Sequence, residues 1–357
     1  MLVVMITKFC MASVILILGL GLVAGCGGNG PETGAAGGES GEPAAGEQPT
    51  EVAADGEFEW YILPQFPPRE QVISRRLLGL NDLVMLDDNT AWIVGTDGAV
   101  GRTTNGGETF VLQATGTAIN LTGVSFIDEL HGWAIGTAGT VLRTSDGGDT
   151  WDKLESIPGV LLPDGIEFLN ETMGWAVTEF GGIWQTTDGG DSWTKKNSGT
   201  LEDFLDIQFF DPQTGWAVGY AGTILKTTDG GESWTAQTAG TDVALHRVSF
   251  VDANIGATVG GAGTILTTTD GGATWVSQSS GIDQDLFGVF GYDSQNMWAV
   301  GEDITIIESK DGGVTWTKVA TPTSGDTLRA VQFTTLRQGL AAGSGGHIWR
   351  FGVKPEN

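Results

Sequence analysis

Arg143-Thr-Ser-Asp-Gly-Gly-Asp-Thr-Trp151 decides the fold, because the chain repeats it. The stretch returns as Gln185 to Trp193, Lys226 to Trp234, Thr267 to Trp275 and Glu308 to Trp316, with a weaker copy from Arg102 to Phe110. Its turn acids are Asp146, Asp188, Asp229, Asp270 and Asp311, preceded by Asn105, so the interval is 41 or 42 residues throughout. A fixed period of that size marks a propeller or solenoid.

Each copy reads as a strand, a tight turn and a second strand. Thr140-Val-Leu-Arg-Thr144 and Thr223-Ile-Leu-Lys-Thr227 carry the β-branched and apolar residues of an incoming strand. Asp-Gly-Gly then offers a side-chain acceptor for turn amides, followed by two residues free to take positive φ. The Trp after it brings a large face to bury. Asn105 and Phe110 keep both functions in the weaker copy. An EF-hand needs a ligand series closed by a Glu. That series is missing, and the second acid is gone at Ala273 and Val314, so these aspartates are read as turn holders.

Written out at the second copy, one unit has four parts. Leu121 to Phe126 is an inner strand, Gly132 to Gly136 a second, Thr140 to Thr144 a third and Thr150 to Leu154 an outer fourth. The second-strand position recurs at Trp92, Trp133, Trp175, Trp216, Ala257, Trp298 and Leu340, which makes seven units. The expected fold is all-β: a seven-bladed β-propeller of four-stranded antiparallel blades. The last unit lacks a box and a fourth strand, and Glu59 to Leu63 reads as the missing strand, with Trp60 in the box-Trp role. Pairing it there closes the ring and removes free edges.

Three segments follow. Residues 1–26 read as a lipoprotein signal peptide: Lys8, an apolar run from Phe9 to Val23, then Val23-Ala-Gly-Cys26, which looks like a lipobox ending at Cys26. Residues 27–57 are an acidic Gly/Ala/Pro/Glu tether expected to be disordered, and 58–357 form the propeller. With Cys10 in the leader and Cys26 lipidated, no thiol is left for a disulfide, a nucleophile or a metal.

The box resembles the Asp-box of the BNR repeats found in sialidases, some endoglucanases and sortilin-type receptors. The Gly-Trp-Ala-Val-Gly phrase ahead of it, as at Gly215 to Gly219, most resembles the Ycf48/HCF136 family of photosystem II assembly factors. That resemblance covers nearly all of residues 58–351. It implies an exported binding propeller, a lipoprotein in its bacterial form, on the periplasmic or lumenal side of a membrane. It also implies an arginine-rich patch that receives a membrane-protein client. Here 17 Lys plus Arg face 44 Asp plus Glu, a formal net charge of −27. Such a balance argues against nucleic acid or a bare anionic membrane as partner.

Binding is expected on the face of the blade-to-blade connections, around the channel. Its candidates are Arg75, Arg76, Phe180, Tyr220, Arg247 and Arg329, with Glu179, Phe204, His246, Glu302 and Asp303 beside them. Phe180 and Tyr220 fall in short connections where most other units have Thr, Ala or Gly. Chemistry finds little support. Sialidase-like action needs an arginine triad and a Tyr nucleophile, and neither Tyr220 nor Tyr292 has an Arg cluster. Asp164, Asp206 and Asp303 are not paired by any motif for glycoside hydrolysis. His131, His246 and His347 have no ligand spacing, so no metal and no cofactor are expected. The expectation is a non-catalytic monomer, a scaffold or assembly factor that holds a peptide segment of a membrane or envelope protein. A cell-surface glycan-binding or glycan-cleaving protein is the alternative.

Overall fold

The computed structural model describes residues 58–63, 79–319 and 325–353. The leader, Cys26, the tether, Arg75 and Arg76 lie outside the described residues. What is described forms seven four-stranded antiparallel sheets arranged as blades. Their inner strands are Leu80–Met85, Leu121–Phe126, Pro163–Phe168, Phe204–Phe209, Leu245–Phe250, Leu286–Gly291 and Leu328–Thr335, for blades 1 to 7. The ring closes as the sequence indicates: Phe58–Ile62 pairs with Ile348–Val353, setting Trp60 opposite Phe351. Outer strands are shorter than read. In blade 2 the fourth strand is only Asp152–Lys153, since Trp151 turns inward before it and is buried.

The boxes hold their turns as their residue types dictate. Asp146 accepts from the Thr150 amide (2.9 Å) and hydroxyl (2.6 Å) and from the Thr144 hydroxyl (2.8 Å). Thr144 Oγ1 in turn accepts the Gly148 amide at 2.8 Å. Gly147 and Gly148 take φ of 76° and 92°, a region that a side chain opposes.

The Gly-Trp-Ala phrase has a physical cause that crosses blades. Each second-strand Trp lies flat on the inner-strand Phe of the next blade: Trp92 on Phe126, Trp133 on Phe168, Trp175 on Phe209, Trp216 on Phe250 and Trp298 on Phe333, at 3.5–3.8 Å between centroids. The box Trp of that next blade meets the same Phe edge-on, as Trp234 does on Phe209 at 5.9 Å and 85°. Trp60 plays this part in blade 7, edge-on to Phe333 at 89°. In blades 2, 3 and 4 the Gly before the Trp pairs with the Phe of its own blade, where blade 1 pairs Ala91 with Met85; a Cβ on Gly132 would come within 2.4 Å of the Phe126 ring. Blade 6 exchanges the pair, with Gly291 opposite Met297. In Gly-Trp-Ala the Gly therefore answers the Phe on the strand paired with it, and the Trp answers the Phe of the next blade.

Hydrogen bonds tie the same junctions. Trp133 Nε1–H donates to the Gly189 carbonyl of the next box (2.8 Å), and Trp216 Nε1–H to that of Gly271 (3.1 Å). Lys226 reaches the Gly271 carbonyl too, at 2.7 Å. A box thus serves its neighbour as well as its own turn.

Around the channel, side chains of one inner strand accept amides of the next. Val124 N–H donates to Asp82 (3.0 Å), Phe168 N–H to Ser125 (3.0 Å), Phe209 N–H to Glu167, Val248 N–H to Asp206 (2.9 Å), Gly291 N–H to Ser249 (3.0 Å) and Met85 N–H to Gln332 (2.8 Å). These bonds supply partners to inner-edge amides that no strand can pair. Inside lies a cavity of about 470 Å³ lined by all seven inner strands.

Candidate functional site

Antiparallel order places the boxes and the first-to-second-strand turns on one face. The second-to-third-strand turns and the blade connections share the other. The described candidates taken from the sequence belong to this second face, and the structure separates them. Arg247 does not stand on it as a free cation. It spans the channel from blade 5, with Nη2 2.7 Å from Asp82 of blade 1 and Nη1 3.3 Å from Asp206 of blade 4. Burial works against its charge, but the two carboxylates overcome this and raise its pKa. Phe204 is fully buried in the core between blades 3 and 4, so it is no surface candidate. Arg329 sits over the Phe287 ring (5.8 Å), on which His246 also stacks (4.7 Å). That places it in blade 7, away from the aromatic candidates.

Phe180 and Tyr220 do come together. Asp203, just before the inner strand of blade 4, accepts the Phe180 amide on its carboxylate (2.7 Å) and the Tyr220 amide on its carbonyl (2.9 Å). Next to them the Glu179 carboxylate accepts the amides of Leu161 (2.7 Å) and Leu162 (3.0 Å). Leu201 precedes Glu202, whose carbonyl accepts the Gly181 amide at 3.1 Å. The exposures are 65% at Leu161, 57% at Leu162, 68% at Phe180, 81% at Leu201 and 48% at Tyr220. Two carboxylates and two carbonyls thus tie together the connections and turns that carry five exposed large apolar side chains. A scattered exposed apolar residue is ordinary, whereas a contiguous set marks an interaction surface.

Blade 3 is also where the repeat rule breaks. In blades 1, 2 and 4 to 7 the second strand ends in Gly, since a Cβ there would meet the carbonyl ahead of the inner strand, at 2.3 Å for Gly136 and 2.1 Å for Gly219. Blade 3 has Thr178 at that position. Its preceding connection spans 12 positions from Trp151 to Pro163, as blade 7's does from Trp316 to Leu328, against 11 from Trp193 to Phe204. The residue after Thr178 is Glu179, whose carboxylate holds that connection by the Leu161 and Leu162 amides. Phe180 takes the left-handed position of its turn (φ 55°), which other blades give to Asp, Ala or Gly. A bulky residue there is strained by about 1–3 kcal/mol. Departures from a local rule tend to fall at functional sites.

Asp164, second residue of the blade 3 inner strand, lies within this cluster. Its carboxyl takes no hydrogen bond among the described residues, and burial first, then Glu179 and Asp203, push it up to about 7. The sequence names Glu179, Phe180 and Tyr220 as candidates but leaves out Leu161, Leu162, Leu201 and Asp203. The available signal was two leucines in a connection otherwise made of turn residues. No group of three or more acidic, His or Cys side chains among the described residues is close enough to hold a metal ion.

These carboxyls give stability a two-sided pH dependence. Asp146 and Asp229 are held down at about 2, chiefly by the hydroxyls of Thr150 and Ser233. With the folded pKa depressed, their contribution is present above the ordinary 3.8 and lost as pH falls towards 2. Asp164 has the opposite sign. Its folded pKa is raised, so stability is lost as pH climbs from 3.8 through about 7. The thermal midpoint is expected to peak at about pH 4, and Asp164→Asn should flatten the neutral side of that peak. A wild-type midpoint rising steadily from acid to pH 8 would contradict this.

The fold and this rim define the class: a seven-bladed Asp-box propeller with one specialised stretch of connection face. The model of the family described as photosynthesis system II assembly factor YCF48 matches residues 63–143, 112–195, 197–275 and 238–323. The chain belongs to that family. No match was found among curated protein sequences. Among solved structures, YCF48 from Cyanidioschyzon merolae superposes with a TM-score of 0.67 at 22% identity, covering 82% of this chain and 98% of that one. A YCF48 bound to D1 peptide gives 0.67 at 20%, covering 83% and 95%. Virginiamycin B lyase from Staphylococcus aureus gives 0.68 at 12%, covering 84% and 100%. At such identities these likenesses speak for the fold alone.

Proposed function

We propose that the protein is a non-catalytic binding propeller, exported and anchored through lipidated Cys26, that holds a peptide segment of a membrane or envelope protein during assembly. Family membership and the solved YCF48 bound to D1 peptide support this reading. In a photosynthetic organism the client would be a photosystem II subunit. The acidic residues 27–57 would serve as a tether holding the ring off the membrane. The observation that carries the reading is the exposed apolar rim of blades 3 and 4 built on the strained Phe180.

Phe180→Gly separates binding from folding. Glycine relieves the left-handed strain, so the variant should be between neutral and about 1 kcal/mol more stable. Losing an aromatic anchor should weaken client binding by about 2 kcal/mol, or ~30-fold. Titration of client peptide and thermal melts of both proteins check this pair of outcomes. Unchanged affinity would remove the rim from the binding site.

A further inference from the structure

We infer that the rim of blades 3 and 4 selects a cationic apolar segment, seating a lysine or arginine of its client against Asp164 while aliphatic or aromatic neighbours cover Phe180, Tyr220 and Leu201. The inference rests on the client-binding reading and adds the chemistry of the client. It inverts the charge that an arginine-rich site would recognise.

The argument is one of complementarity. Asp164 sits part-buried beside the apolar cluster, with Glu179 and Asp203 as the charged groups that face it. The carboxylates of Glu179 and Asp203 are committed to the amides of Leu161, Leu162 and Phe180. Asp164 keeps its hydrogen-bonding capacity, and no base of the described chain pairs with it; Arg247 is held by Asp82 and Asp206, and Arg329 stands over Phe287 in blade 7. A guanidinium or ammonium arriving there answers three negative charges in a partly dry setting, where charge pairing is stronger than in open water. An anionic segment would meet the same charges as repulsion. The five exposed apolar side chains then give the flanking residues of a peptide somewhere to lie.

The pH of half-ionisation supplies a readout that simple stickiness lacks. A cation pairs with the ionised form of Asp164, whose carboxyl in the free protein sits at about 7. Affinity for a cationic peptide should therefore rise with pH through that value and level off above it.

The test uses two labelled peptides of one length, each alternating leucine and phenylalanine with a charged residue, lysine in one and glutamate in the other. Anisotropy is read for wild type, Asp164→Asn and Phe180→Gly. The lysine peptide is expected to bind at least about tenfold tighter than the glutamate peptide. Asp164→Asn should remove most of that preference and flatten its pH dependence, and Phe180→Gly should weaken the lysine peptide while leaving the dependence in place. Equal affinity for the two peptides, or a preference for glutamate, overturns the cationic selection and leaves the apolar rim standing. Binding of neither peptide, or binding indifferent to Phe180→Gly, overturns both the inference and the site on which it rests. Melting curves confirm that each variant is folded before its binding is compared.

Discussion

Trp216→Ala is expected to lower unfolding free energy by about 3–5 kcal/mol, the cost of truncating a fully buried aromatic. Trp216 has no exposed surface and lies 3.5 Å from the Phe250 ring of the next blade. Its other neighbour is the Lys226 ammonium, 5.1 Å from the indole centroid. Its Nε1–H also satisfies the Gly271 carbonyl, so removal opens a cavity and withdraws a donor at once. Trp234→Ala should cost less, about 1.5–3 kcal/mol, since that indole is only part-buried and touches Phe209 by its edge. Chemical unfolding of the two variants ranks them. Equal losses, or a loss below about 1 kcal/mol at Trp216, would mean that the blade junctions are not held as described.

Arg247→Met is expected to cost a similar amount, about 3–5 kcal/mol at neutral pH, for an electrostatic reason. The guanidinium lies between the Asp82 and Asp206 side chains, which are 10% and 8% exposed. Without it, two carboxylates remain in the channel with no counter-charge among the described residues that line it. Burial already pushes the Asp206 carboxyl up against the pull of Arg247, and the substitution removes that pull. The Asp206 carboxyl, already raised, then climbs further above its unfolded value, so the lost stability should return as pH falls towards 5. Adding Asp82→Asn and Asp206→Asn should restore much of it at neutral pH, since an uncharged replacement often stands as well as a buried ion pair. Urea midpoints at two pH values check this. A small loss independent of pH would return Arg247 to the role of a solvated surface cation.

The architecture was legible because the repeat writes its geometry seven times. Box spacing, the second-strand position and the orphan strand at Phe58–Ile62 led directly to blade number and ring closure. Gly132 could not be explained from its own strand, because its partner is the ring of Phe126, read as an inner-strand residue with no notice of what covered it. The site was half legible. Phe180 and Tyr220 stood out as exceptions to short turns, but charge counting placed Arg247 beside them. A repeat phase locates a residue along its blade; it does not tell that a long side chain crosses the channel to Asp82, 165 positions away. Leu161, Leu162 and Leu201 read as connection residues until the bonds are traced: the Glu179 carboxylate accepts the Leu161 and Leu162 amides, and the Glu202 carbonyl accepts that of Gly181.

The central claim is that this propeller holds a membrane-protein segment at the connection face of blades 3 and 4. Site-specific photocrosslinking in native membranes tests it most directly, with benzoylphenylalanine placed at Tyr220 or, on the opposite face, at Val314, both exposed. The account predicts crosslinks from Tyr220 to one segment of an integral membrane protein, reduced by Phe180→Gly, and none to that protein from Val314. Crosslinking from Val314 alone, or equally from both faces, would contradict it.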